Sequence, residues 1–230
     1  MGVLSASTRL HGQCAKLMLL LFVPAVFAQQ RSSQNHHGLA AKFDQAERLF
    51  WLDNWVKARD LYAACEKGYA TTDPAKALMS KFSRLRADAE TKLSYATVSR
   101  VIATDLDTST AHRYPKVRLR GLLVKATADL SIHDPALSGQ EWQEVRELAH
   151  SLRDSGWEER AEGELGIVAY LRGETERAVI LNTGAFEKAK QLGDIAGMIR
   201  ALSLKGVGLL ERNAPDHAIP YFDQALELAR

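Results

Sequence analysis

Few residues in this chain have types and spacings that could do chemistry. His133 and Asp134 stand side by side and have the makings of an acid/base dyad, but they precede Pro135 in HDPALSG, which reads as a turn. His36 and His37 are adjacent imidazoles that could bind a metal. No acid or thiol accompanies them in QQRSSQNHHG, so they read as solvated side chains of a polar leader. The carboxylates of EWQEVRE and EERAEGE recur at helical spacing to Arg and Lys, the pattern of a solvated helix face. There is no Gly-x-Ser-x-Gly, no phosphate-binding glycine loop, no His-Glu-x-x-His and no Cys-x-x-Cys. The expectation is a non-enzymatic chain without a metal site or cofactor.

Charge and targeting narrow the classes further. The formal charge is +2, and Arg9 and Lys16 lie in a stretch, residues 1–28, that contains no acid. That stretch has a cationic start, the twelve-residue apolar run LMLLLFVPAVFA from Leu17 to Ala28, and small residues placed for a cut after Ala28. A membrane span needs about 20 apolar residues, so the segment reads as a cleaved signal peptide, with a membrane anchor if it is not cleaved. An exported, periplasmic location is expected. The mature chain would then balance its basic and acidic residues, which leaves no electrostatic footprint for nucleic acid or an anionic membrane. Cleavage removes Cys14, so Cys65 has no disulfide partner and is expected to be a buried, inert thiol.

The elements that must position any site are helical. From Leu39 onward, Ala, Leu, Arg, Glu and Lys dominate and apolar residues recur three or four apart. Breaks at residues 71–74, 105–115, 133–139, 154–157, 172–175, 193–197 and 213–216 imply about eight helices of roughly 12 to 18 residues. The expected layout is a signal peptide over 1–28, a flexible leader over 29–38 and a helical repeat domain over 39–230. The repeat is degenerate over 75–157 and is expected to continue past 230.

Within that domain the chain repeats itself. GIVAYLRGETERA (residues 166–178) and GVGLLERNAPDHA (206–218) each carry a glycine inside an apolar run, a turn, and an alanine twelve residues after the glycine. Glycine inside a helix costs roughly 1 kcal/mol against alanine, so its recurrence implies close approach of two helix axes. A lone helix pair cannot bury its apolar face, whereas stacked copies can.

These stretches resemble tetratricopeptide repeats. In the first copy the match is Leu165, Gly166, Gly173, Ala178 and Ala185, with Asn182 where an aromatic is expected. In the second it is Gly206, Leu209, Ala218, Phe222 and Ala225, and a third, AERLFWLDNWVKARDLYAACEKG, matches at Ala46, Leu49, Asp53, Trp55, Ala58, Tyr62 and Cys65. Gly121 in VRLRGLLVKA is expected to open a further repeat, with HDPALSG as an insertion and Trp142 in the place of the alanine. The forty-residue spacing marks a long-helix variant, since the commonest form has about 34. The resemblance implies an all-α, right-handed superhelix of stacked antiparallel helix pairs that binds a protein or peptide on its concave face. Its alternative is the sensor or scaffold part of a longer bacterial signalling protein with an output domain beyond residue 230.

The inner face is expected to carry the contacts. Opposite the packing glycines lie Arg160, Ile167, Tyr170 and Leu171, then Arg200, Ser203, Val207, Leu210 and Glu211. Arg160 and Arg200 could hold a carboxylate or backbone carbonyl of an extended ligand, or could pair with acids of their own repeats such as Glu164. Phe43, Phe50 and Trp51 form an aromatic patch that either caps the core or docks a partner. Tetratricopeptide domains that clamp a terminal carboxylate use an inner-face asparagine; Glu47, Ile167 and Val207 stand there, so that activity is not expected.

Overall fold

The computed structural model describes residues 38–92 and 94–230, which form helices and turns with no strand. The expected signal peptide and the His36–His37 pair lie outside the described residues. The helices are α1 (38–51), α2 (Trp55–Tyr69), α3 (Pro74–Lys92), α4 (Tyr95–Leu106), α5 (Ser109–Arg113), α6 (Pro115–Ser131), α7 (Pro135–Ser151), α8 (Ser155–Leu171), α9 (Thr175–Leu192), α10 (Ile195–Glu211) and α11 (Pro215–Leu228). Neighbouring helices pack along the chain as an α-α solenoid of antiparallel pairs. There are more helices than the eight expected, because the turns at residues 52–54 and at Ser94, and the single-turn α5, carry no Gly or Pro to announce them.

One register runs through the array. The small residue near the end of each pair's first helix is Ala46, Ala126, Gly166 or Gly206. The small residue near the start of the second is Ala58, Ser138, Ala178 or Ala218, followed four residues on by Tyr62, Trp142, Asn182 or Phe222. Each set steps by forty or twice forty. The backbone repeats the step independently: φ is positive at Asp53 (56°), His133 (67°), Gly173 (76°) and Asn213 (58°) inside the hairpins. Arg153 (56°) and Gly193 (70°) do the same between hairpins. A left-handed residue after the last helical turn ends a helix and redirects the chain, and Gly, Asn and Asp adopt it at least cost.

This register corrects the reading of the middle. Ala126, not Gly121, occupies the position of Gly166 and Gly206, and the Ser138 hydroxyl donates to the Ala126 carbonyl at 2.8 Å where the two helices cross. HDPALSG is therefore no insertion. His133 is the left-handed turn residue, Asp134 caps α7 by accepting from the Leu137 N–H at 3.0 Å, and Pro135 opens the helix. Trp142 holds the ring position. Gly121 serves a different contact, since a Cβ there would lie 2.6 Å from Leu106 and 2.8 Å from Phe82 of the preceding hairpin.

The second pair departs from the rule. At its small-residue position stands Arg86, and α3 and α4 barely touch, whereas both pack on α6. A guanidinium cannot fit where alanine or glycine lets two axes meet, so the hairpin splays. The core remains continuous through Tyr62, Phe82, Ile102, Val124 and Val145, all fully buried. Cys65 is buried and free, as expected, and burial raises its thiol pKa.

Candidate functional site

The solenoid curves tightly enough that its first hairpin meets the inner helices of the fourth and fifth. At the end of α1, the Phe50 and Trp51 rings stand edge-to-face with Trp157 of α8, with centroids at 6.1 and 5.3 Å. The Arg160 guanidinium lies 3.6 Å from the Trp51 ring centroid and donates to the Trp51 carbonyl at 2.6 Å. Next to it, Arg200 of α10 donates to Asp53 at 3.2 Å. The α1–α2 turn is thus clasped to helices more than a hundred residues away. Asp53, the left-handed residue of the α1–α2 turn, supplies the carboxylate of that contact.

A second polar contact braces the clasp. Arg120 of α6, only 3% exposed, donates to Glu47 at 2.6 Å, to the Ser83 hydroxyl at 2.8 Å and to the Tyr62 phenol at 3.4 Å. Its guanidinium also lies 4.1 Å from the Phe50 ring centroid. Tyr62 in turn donates to Glu47 at 2.6 Å, and burial raises its pKa. Four helices meet on one cation, which is why it is tolerated inside. Sequence reasoning missed Arg120, since an arginine in VRLRGLLVKA looks like any surface cation. The signal was its place one residue before Gly121, on the side facing the core.

Beside the clasp a cavity of about 280 Å³ opens among α1, α2, α3, α6, α8 and α10. Its charged lining is Asp53, Arg86, Glu90, Arg160, Glu164 and Arg200, and its rings are Phe50, Trp55 and Trp157. The splayed second hairpin makes the space: Arg86 stacks 4.8 Å from the Trp55 centroid and pairs with Glu90. Of the cavity's two lining arginines on α8 and α10, Arg160 Nε and Arg200 Nη2 are buried without a hydrogen-bond partner, as are Asp194 Oδ2 and Glu159 Oε2, whose residues do not line the cavity. Burial governs the charges here. It lowers Arg160 to about 10, with Arg200 adding repulsion, and raises Glu159 to about 7, with Asp194 adding to the effect. Burial likewise raises Glu164. The arrangement can hold a ligand with polar atoms of both signs and a flat or apolar part.

The expected contact residues divide in two. Phe50, 2% exposed, Arg160, 7% exposed, and Trp51 make the clasp contacts within the chain, because the curvature brings the first hairpin onto α8, and Phe50 and Arg160 also line the cavity. Neither arginine pairs with an acid of its own repeat: Arg160 lies 3.9 Å from Asp194 and Arg200 meets Asp53. Arg200 still lines the cavity. Tyr170 lies some way off, in a second pocket, while Leu210 is 47% exposed. Phe43 packs edge-to-face on Tyr62 and Tyr69 in the first hairpin. Among the described residues no cluster could hold a metal ion, and no helix is long and apolar enough to cross a membrane.

Comparison with known proteins adds the fold. No family model matches the chain, and no curated protein matches it. Among solved structures, the crystal structure of a Rap protein complexed with competence and sporulation factor aligns with a TM-score of 0.68 at 15% identity. The alignment covers 82% of this chain and 53% of that one. At that identity the likeness is one of fold, a helical-repeat solenoid, and the chain spans about half the length of that structure.

Proposed function

We propose that this chain is a non-enzymatic scaffold of tetratricopeptide type, in the forty-residue variant, that binds a peptide or protein segment on its concave face. The observation that carries the reading is the inner cavity beside the clasp, where the rings of Phe50, Trp55 and Trp157 stand together with charged side chains of both signs, Arg200 and Glu164 among them, on a surface already ordered. Preordered donors and acceptors lower the entropic cost of binding an extended chain, whose backbone offers both. A solved structure of like fold, the Rap protein, is complexed with competence and sporulation factor, which is consistent with a ligand-holding solenoid.

The test is selection from a random peptide library on the purified protein, followed by titration of the selected peptides against Arg200→Ala. The reading expects a shared consensus and at least about a tenfold loss of affinity in the variant, equivalent to one charge-assisted hydrogen bond. Peptides without a consensus, or binding unchanged by the substitution, would overturn it.

The same proposal places the protein outside the cytoplasm, on the strength of the cationic start, apolar run and small residues of positions 1–28. Fusing residues 1–40 to alkaline phosphatase should give an active enzyme whose mature N-terminus is Gln29. An inactive fusion would refute export. A role as the sensing part of a longer signalling protein is a question for the gene, answered by the reading frame downstream of Arg230.

A further inference from the structure

Glu164 of α8 faces the inner cavity without a partner. It stands one helical turn after Arg160, a spacing at which acid and base commonly pair, and no pair forms. Its neighbours are engaged elsewhere. Arg160 turns to the Trp51 ring and carbonyl, Arg200 donates to Asp53, and Arg86 pairs with Glu90. Neither oxygen of Glu164 accepts a hydrogen bond among the described residues, and neither is shut off from solvent. Burial outweighs the three guanidiniums and raises its pKa, so its carboxylate lacks solvation that a ligand's donor would restore. Arg160 supplies the complement: its Nε is enclosed, but its Nη1 is open and makes no hydrogen bond.

The cavity therefore offers an acceptor and a donor one turn apart, beside the rings of Phe50, Trp55 and Trp157. The first residue of a peptide presents the matching pair, an ammonium group with several N–H donors and a carbonyl on the same residue. A lysine ammonium has only methylenes beside it, and a C-terminal carboxylate would meet Glu164 with like charge. Size points the same way. A cavity of about 150 Å³ admits benzene, so one of about 280 Å³ holds roughly one residue with a large side chain, and a chain that enters it ends there.

We propose that the cavity captures the free N-terminus of a peptide: the ammonium donates to Glu164, the first carbonyl accepts from Arg160 Nη1, and a large apolar first side chain packs on the rings. This rests on the peptide reading of the same cavity and assigns it to one end of the ligand chain.

The probe is a library of short random peptides tethered by their C-termini, each with a free amine, and the selected sequences are resynthesised with that amine replaced by hydrogen. A consensus concentrated at the first position, with a large apolar residue there, is expected. In calorimetry the desamino forms should bind at least about tenfold more weakly, the loss of one charge-assisted hydrogen bond. Glu164→Gln should weaken the free-amine peptides and narrow that gap to about twofold, while its urea unfolding matches the parent's, because the acid it replaces has no partner. A desamino peptide that binds as tightly as its free-amine form, with Arg200→Ala still weakening both, would overturn the N-terminal assignment and leave the peptide reading standing. A gap that persists in Glu164→Gln would overturn the role of Glu164. A library without a consensus would overturn both readings. The desamino comparison uses the parent protein, so it decides the matter even if Glu164→Gln fails to fold.

Discussion

Glu159 offers a way to read the interior electrostatics from a stability curve. Its carboxyl is 2% exposed, one oxygen lacks a hydrogen-bond partner, and it faces Asp194 and Glu162 as well as Arg160 and Arg200. Burial, the largest effect, raises it from 4.5 to about 7. The folded state therefore binds more protons than the unfolded state between pH 4.5 and 7. Stability must fall as pH rises through that window, and the whole penalty is present above 7. At about 1.4 kcal/mol per pH unit, the shift corresponds to a penalty on the order of 3 kcal/mol at pH 8. Glu159→Gln removes the charge and leaves an amide imperfectly bonded, which costs about 1–2 kcal/mol of that gain. Urea unfolding should show the variant more stable than the parent by about 1–2 kcal/mol at pH 8. At pH 4.5 the variant should be no more stable than the parent. A variant equally destabilised at both pH values would refute the reasoning, because the carboxylate would then be a stabilising charge.

Other perturbations test the packing. Gly206→Ala gains up to about 1 kcal/mol of helix propensity but drives a Cβ to 2.6 Å from the Phe222 ring, an overpacking worth about 1–3 kcal/mol. Denaturant melts should show a net loss of roughly 1 kcal/mol, recovered in the double variant Gly206→Ala, Phe222→Leu. Arg120→Met strips Glu47, Tyr62 and Ser83 of their shared partner and should cost about 3 kcal/mol by the same measurement, since breaking a buried pair leaves its other half unpaired. Adding Glu47→Gln to it should cost much less than it does in the parent.

Much of the architecture was legible because it is local. The stacked hairpins follow from glycine and alanine spacing, and the two C-terminal repeats are found where their motifs stand. Cys65 is buried because it holds a small-residue position in α2. What misled the reading of the middle was reliance on glycine. Gly121 resembles Gly166 in its setting, but a glycine can relieve a crossing with the preceding hairpin as well as with its own partner. The better marker was the turn, where Asp53, His133, Gly173 and Asn213 share a left-handed backbone despite four residue types. The clasp was illegible for another reason. Trp51 and Arg160, or Asp53 and Arg200, meet only because small rotations between hairpins accumulate along the array, and no spacing in the sequence encodes their sum. Asn182 lay in between: the missing aromatic was plain, but the packing of its amide over Gly166 needed the assembled hairpin.

The account depends most on the solenoid closing its first hairpin against its fourth. A double-mutant cycle of Trp51→Leu and Arg160→Met in urea unfolding measures that contact directly, across 109 residues of sequence. A guanidinium 3.6 Å from an indole centroid in a desolvated setting should give a coupling energy of about 1–2 kcal/mol. Additive effects, with coupling indistinguishable from zero, would mean that the two ends of the array do not meet.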